Sequence, residues 1–244
     1  MAFRRTTTAS ELPSGDDLTR AMVGIGMAFA AEADVDANIE DTLLAASVEG
    51  IERDDLRTLS LLTTWLGVHH PWVNIDRLTR AISSHESPRV LAFWAAVATW
   101  LRKDRRFARI ARLHKGPRID LLRVGTKFQI QRRGEDDRFI ETPLRAPAGV
   151  LRKRAGDVLT PAELAKRHRT YRHRVLIGPS YRADMWAALE ENPSLSASEL
   201  ARRTYGSFAT AWQVKKDFQN LRKKLPRTKQ HGLRDIKQIL AFCC

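Results

Sequence analysis

The sequence predicts a mainly α-helical protein with a small β-hairpin, built as an N-terminal helical domain of winged-helix outline and a C-terminal helix-turn-helix domain. Three observations carry this. Apolar residues recur at helical spacing along most of the chain, as at Leu56, Leu59, Leu62 and Leu66. One stretch, residues 127–144, alternates Phe128 and Ile130, then turns at residues 134–137 toward Phe139 and Ile140, as a hairpin does. The late segment "SASELARRTYGSFATAWQVKKDF" (196–218) gives two short helices joined by a tight turn.

Taken in order, residues 1–15 are expected to be disordered and residues 16–142 to form the first domain. Helices are expected over 17–32, over 37–48 with Asp36 as its cap, and over 54–69, which Pro71 breaks. Asn74 caps a short helix, "IDRLTRAI". Ser87 caps the next, with Pro88 at its first position, where the missing N–H costs nothing. That helix carries Val90, Leu91, Phe93, Trp94, Val97, Trp100 and Leu101 on most of its sides, so it belongs in a core. The hairpin follows, flanked by Arg132, Arg133 and Arg138. Residues 143–156, rich in Ala, Pro, Gly and Arg, are expected to be a linker.

The second domain is expected over 157–224. Thr160 caps its first helix, and Met185, Trp186 and Leu189 face inward on a later one that Asn192 and Pro193 stop. Ser196 and Glu199 spell a capping box, in which each residue satisfies a backbone N–H of the other. Gly206 marks the end of that helix, and Ser207 caps the last one. Ala211, Val214, Phe218 and Leu221 form its narrow apolar stripe. Residues 225–244 are a tail with no role that the sequence supports.

Composition bounds the function. The 244 residues are 43% hydrophobic and 29% charged, enough to bury a core. No run of about 18 apolar residues suggests a membrane span. The opening "MAFRRTTTASELPSGDD" is polar where a secretion signal needs apolar residues, and a cytoplasmic location is expected. Cys243 and Cys244 are the only cysteines; adjacent at the end, they make neither a disulfide framework nor a metal site. No metal and no cofactor is expected. His168 and His173 stand five apart without further ligands, outside the familiar zinc spacings.

Charge is distributed unevenly. Residues 1–101 hold 8 Lys/Arg against 14 Asp/Glu, whereas residues 102–182 hold 23 against 8 and residues 183–244 hold 11 against 6. A basic excess confined to the later part of the chain is the footprint of a polyanion partner. Arg102, Arg105, Arg106, Arg109 and Arg112 fall on one stripe if the segment is α-helical, and Lys166, Arg167, Arg169, Arg172 and Arg174 form the densest cluster. Together with Arg132, Arg133, Arg202, Arg203, Lys215, Arg222, Lys223 and Lys224, these are the expected phosphate-binding residues on double-stranded DNA. Thr210, Gln213, Lys216 and Asn220 are the expected base-reading residues of the last helix. Gln suits adenine and Lys suits guanine by the hydrogen-bonding edges those bases present in the major groove. Four residues after Ala201, where such turns favour glycine, stands Tyr205. A homodimer on a palindromic site is compatible with such a module.

The segment "RHRVLIGPSYRADMWAALEENPSLSASELARRTYGSFATAWQVKKDF" (172–218) resembles the helix-turn-helix antitoxins that accompany nucleotidyltransferase toxins in type IV abortive-infection systems. A basic "R-V-L-x-G" (174–178) leads there into "R-A-D" (182–184) at the start of a helix. The resemblance covers about a fifth of the chain. It implies a bacterial, non-enzymatic transcriptional repressor of its own toxin–antitoxin operon, with a nucleotidyltransferase-type toxin as partner. Other readings stand beside it. One is a protein-interaction module whose basic face neutralises a partner toxin without reading bases. Another is an RNA-binding protein, against which Trp94, Trp100 and Trp186 are expected to be buried. A nucleotidyltransferase is disfavoured: Gly24, Gly26, Asp34 and Asp36 lack the Gly-Ser pair and the strand-turn-helix setting.

Overall fold

The computed structural model describes residues 12–222; Lys223, Lys224, the tail and most of the expected N-terminal disorder lie outside them. The described chain is mainly helical: α1 (Gly15–Gly24), α2 (Ile39–Glu52), α3 (Leu56–His69), α4 (Ile75–Ser83), α5 (Pro88–Trp100), α6 (Thr126–Arg133), α7 (Pro161–Arg167), α8 (Arg169–Ile177), α9 (Tyr181–Glu191), α10 (Ala197–Arg203) and α11 (Phe208–Arg222). Short 3-10 turns cover His70–Trp72, Arg105–Arg112 and Ala155–Asp157. Two strands, β1 (Ile119–Asp120) and β2 (Leu144–Arg145), pair in parallel, Ile119 opposite Leu144.

Local chemistry sets the helix starts. Asn74 accepts from the Arg77 N–H, Ser87 from that of Val90, and Thr160 and Ser196 form full capping boxes with Glu163 and Glu199. Each cap satisfies a donor that the first helical turn leaves open, an effect of about 1 kcal/mol. The cap of α2 is Asn38 rather than Asp36. The first helix ends at Gly24, well short of residue 32. The chain then folds back so closely that a Cβ on Gly24 would stand 1.8 Å from the Asp34 carbonyl oxygen.

Among the described residues the hairpin is absent. Residues 126–133 form α6, because Lys127, Gln129, Gln131, Arg132 and Arg133 are strong helix formers and two alternating apolar residues do not outweigh them. Gly134, at φ +81°, ends this helix, so the expected hairpin turn is a helix stop. That hairpin is the element on which the expected winged-helix outline rests. Residues 143–156 do not hang free either: Leu144, Ala146 and Leu151 are buried, and the Arg152 N–H donates to Ser60 Oγ.

One core runs through α1–α5 and on to Leu164 and Tyr171, with Leu43, Leu62, Trp65, Phe93 and Trp94 fully buried. Each such side chain contributes about 1.5–3 kcal/mol. Both buried indoles find acceptors, Trp65 Nε1–H at Ile25 O (2.7 Å) and Trp94 Nε1–H at Ser47 Oγ (2.9 Å). A second, smaller core joins α9, α10 and α11 through Met185, Leu189, Leu200, Ala211 and Val214.

His69 ties α3 to the basic half of the chain. Its Nδ1 lies 2.7 Å from Tyr171 Oη and its Nε2 2.9 Å from the Leu159 carbonyl, which fixes Nε2–H as donor and Nδ1 as acceptor of the Tyr171 hydroxyl. Burial pushes the imidazole down from 6.5 to about 4 and the Tyr171 hydroxyl up. Because the unfolded chain takes the proton first, this stabilisation is complete above pH 6.5 and is lost as pH falls toward 4. At about 1.4 kcal/mol per pH unit the loss reaches roughly 3 kcal/mol. Urea unfolding at pH 7 and pH 4 should therefore show the wild type losing about 3 kcal/mol more on acidification than His69→Gln. Equal losses would show that His69 titrates as a free histidine does.

Candidate nucleic-acid interface

Three helices from residues 181–222 form a compact unit. In α9 the N-terminal Ser180 accepts from the Ala183 N–H; α10 follows after the turn at Pro193. Between α10 and α11 the backbone reverses over Thr204–Ser207, and Tyr205 there adopts φ +57°. Thus tyrosine occupies a left-handed conformation that glycine or asparagine ordinarily supplies. Ser207 Oγ then accepts from the Thr210 N–H and starts α11.

The last helix buries Ala211 and Val214 and half-buries Phe218, while Leu221 is exposed. Its expected inward stripe ends one turn early. Outward it presents Phe208, Trp212, Gln213, Lys216, Gln219 and Asn220. Thr210 faces the helix start instead: its hydroxyl lies 2.7 Å from Ser207 Oγ, so it is part of the cap. Gln213 Nε2 donates to Asp217 (2.8 Å), which also receives Arg182 (3.1 Å). This fixes the Gln213 amide while leaving Oε1 and one N–H open. Lys216 lies 5.4 Å from the Trp212 ring centre, its ammonium held over the π face. Lys215 turns back and donates to the Leu195 carbonyl, and Arg203 pairs with Glu191. Arg202 and Arg222 are exposed.

The dense basic cluster is divided by the fold. Lys166 and Arg167 end α7 on the surface. Arg169 stands 3.5 Å from both Asp36 and Glu191, and Arg172 joins His173 on Glu190. Arg174 is buried and cannot meet a phosphate. Its guanidinium donates to both oxygens of Glu40 (2.6 and 2.9 Å) and both of Asp184 (2.7 and 3.0 Å). Arg77 completes the cluster, reaching Glu40 (3.2 Å), Asp41 (2.7 Å) and Asn38. Burial raises the Glu40 carboxyl, but Arg174 and Arg77 more than reverse this and hold it below the usual range. At Asp184 burial wins over Arg174, and the carboxyl sits above its ordinary value. Tyr205 closes the network: its ring packs 3.9 Å from the Arg77 guanidinium carbon, and its hydroxyl donates to Asp41 (3.3 Å).

Residues 174 and 184 are the Arg of the "R-V-L-x-G" stretch and the Asp of "R-A-D". Their spacing places them on α8 and α9, where they face one another. Sequence pattern alone makes Arg174 a surface cation and gives no role to Glu40, Arg77 or Asp184. One signal does point to the pair, since the basic "R-V-L-x-G" and the acidic end of "R-A-D" flank a single Gly-Pro turn.

The arginines of 102–112 are also rearranged. Arg105–Arg112 is a 3-10 turn with about three residues per turn. Phe107 and Ile110 make the buried edge, Arg106, Arg109 and Arg112 share another, and Arg105 stands apart. Arg106 is consumed by Asp104 and by the carbonyls of His70 and Pro71. Arg102, Arg105 and Arg112 are exposed and make no ion pair among the described residues; Arg109 comes within 3.8 Å of Asp76. Arg132 and Arg133 end α6, exposed, rather than flanking a hairpin.

No family model, curated protein or solved structure matches the chain. Removing one partner of a buried ion pair strands the other, at a cost of about 3–5 kcal/mol. Arg174→Met should destabilise the protein by that amount in a denaturant titration, whereas Lys166→Ala and Arg167→Ala should each stay within about 0.5 kcal/mol. A near-neutral Arg174→Met would return Arg174 to the surface.

Proposed function

We propose that α10 and α11 form a helix-turn-helix that reads duplex DNA, and that the protein is a sequence-specific transcriptional regulator. The observation that carries this reading is the outward face of α11. It offers two groups suited to base edges, Gln213 and Lys216, beside two exposed aromatics, Phe208 (57% exposed) and Trp212 (53%). An amide and an ammonium match adenine and guanine edges, and an apolar ring matches the thymine methyl. Asn220 extends the same face by one more turn. Thr210 leaves the base-reading set, because its hydroxyl serves the cap. Arg202 and Arg222 supply phosphate contacts nearby in sequence, and the exposed α7 cations Lys166 and Arg167 are further candidates.

The antitoxin-type role, repression of its own operon with a nucleotidyltransferase-type toxin as partner, rests on the resemblance over residues 172–218. The ion pair between Arg174 and Asp184 gives the shared pattern a structural reason without testing the role. A protein-interaction reading has support of its own, since the exposed Phe208 and Trp212 also suit a protein partner.

Titration of the full chain against its own upstream DNA and a scrambled duplex of equal length, at two salt concentrations, tests the reading. Preference for the upstream duplex that persists at the higher salt is expected. Gln213→Ala with Lys216→Ala should cut that preference by about 1–3 kcal/mol for each base pair they read. Equal binding to both duplexes, collapsing as salt rises, would leave only a polyanion-seeking surface.

A further inference from the structure

We propose that the arginine edge of the Arg105–Arg112 turn is a second contact for the phosphate backbone of the same duplex, held in fixed register with α11 by the body of the protein. The inference rests on the helix-turn-helix reading above and adds to its footprint a separate surface from much earlier in the chain.

The geometry runs through three side chains. Gly206, in the turn that leads into α11, lies so close to α9 that a Cβ there would be 3.5 Å from Tyr181 Cβ. The Tyr181 hydroxyl donates to Asp76 (3.1 Å), and Arg109 stands 3.8 Å from the same carboxylate. Arg109 is therefore two side chains away from the leading turn of α11. That turn is the part of a recognition helix that enters the major groove, which is roughly 12 Å wide and bounded by phosphates on both sides. Asp76 does not neutralise the edge, since Arg80 already pairs with it at 2.7 Å. Arg109 remains 74% exposed by its side chain, Arg112 is exposed on the same edge, and Arg105 is exposed on the neighbouring one.

Rigidity turns proximity into register. Phe107 and Ile110 anchor the 3-10 turn in the main core, and Arg106 straps it to the carbonyls of His70 and Pro71. On the other side, Tyr205 fixes the α10–α11 turn to Arg77 and Asp41. The proposed contact therefore needs no movement of the turn relative to α11. The chemistry that fits is a row of phosphates, which multidentate guanidiniums bind without reading sequence.

The test compares the full chain with the Arg105→Ala, Arg109→Ala, Arg112→Ala triple variant on the preferred duplex over a series of salt concentrations. Each phosphate contact contributes about 0.9 to the slope of log K against log salt, so the slope should fall by roughly 2–3. The ratio between upstream and scrambled duplex should not change, and a backbone footprint should shorten on one flank. An unchanged slope and footprint, with preference intact, would overturn this inference and leave the base-reading proposal standing. A wild type without preference removes the base-reading proposal instead; a slope that still falls on the scrambled duplex keeps the arginine contact. The three side chains are exposed, so an unchanged melting temperature verifies that the variant is folded.

Discussion

Five ionisable side chains, Glu40, Asp41, Arg77, Arg174 and Asp184, meet in the interior between α2, α4, α8 and α9, and the α10–α11 turn is tied to them through Tyr205. Taking such charges out of water costs several kcal/mol each, and their mutual attraction about offsets this. Net stability is therefore not what the network supplies. Arg77 Nε, Asp41 Oδ1 and Asn74 Nδ2 are buried without a partner, so hydrogen bonding is incomplete even in the folded state. What the network supplies is position. Two guanidiniums pair with three carboxylates in one arrangement of four helices, and sliding any of them strands a charge. Between an apolar interface, tolerant of small slips, and this one, the difference is registry.

That constraint also changes what the net charge of the chain means. Residues 102–182 carry 23 cations, yet Arg106, Arg118, Arg138, Arg145, Arg169, Arg172 and Arg174 are all committed to carboxylates or backbone carbonyls of the protein. Arginine suits this inward work because its planar fork donates to several acceptors at once. Only the remainder is left for the polyanion of the proposed function, so the basic surface is smaller and more patterned than the count of cations implies.

What the sequence makes legible follows the range of the forces involved. Caps and helix starts depend on residues three or four apart, and Asn74, Ser87, Thr160, Ser196 and Ser207 all stand where local hydrogen bonding puts them. Residues 126–133 mislead because alternation over four residues is a weak signal, outweighed by the helix-favouring Lys, Gln and Arg around it. The arginines of 105–112 mislead through periodicity: a stripe drawn at 3.6 residues per turn disperses when the segment winds at about three. Leu221 misleads because a stripe at helical spacing need not find neighbours along its whole length. Burial of Arg174 depends on Glu40, 134 residues away, and no local pattern contains that.

Tyr205 joins these threads. A non-glycine residue at φ +57° costs about 1–2 kcal/mol, and a glycine would remove the cost. Glycine, though, would free the turn between α10 and α11 from the body of the protein. Tyrosine accepts the strain and inserts its ring against Arg77, whose guanidinium is already fixed by Glu40 and Asp41. The turn is thereby tied to the same charges that set α8 and α9. A three-helix unit with glycine in this place would be held by its own core alone; here the turn is also tied to α2 and α4. Under the proposed DNA-reading function, such preorganisation would lower the entropic cost of binding a rigid duplex. The departure from glycine is therefore the clearest local mark that the three-helix unit acts together with the helices that precede it.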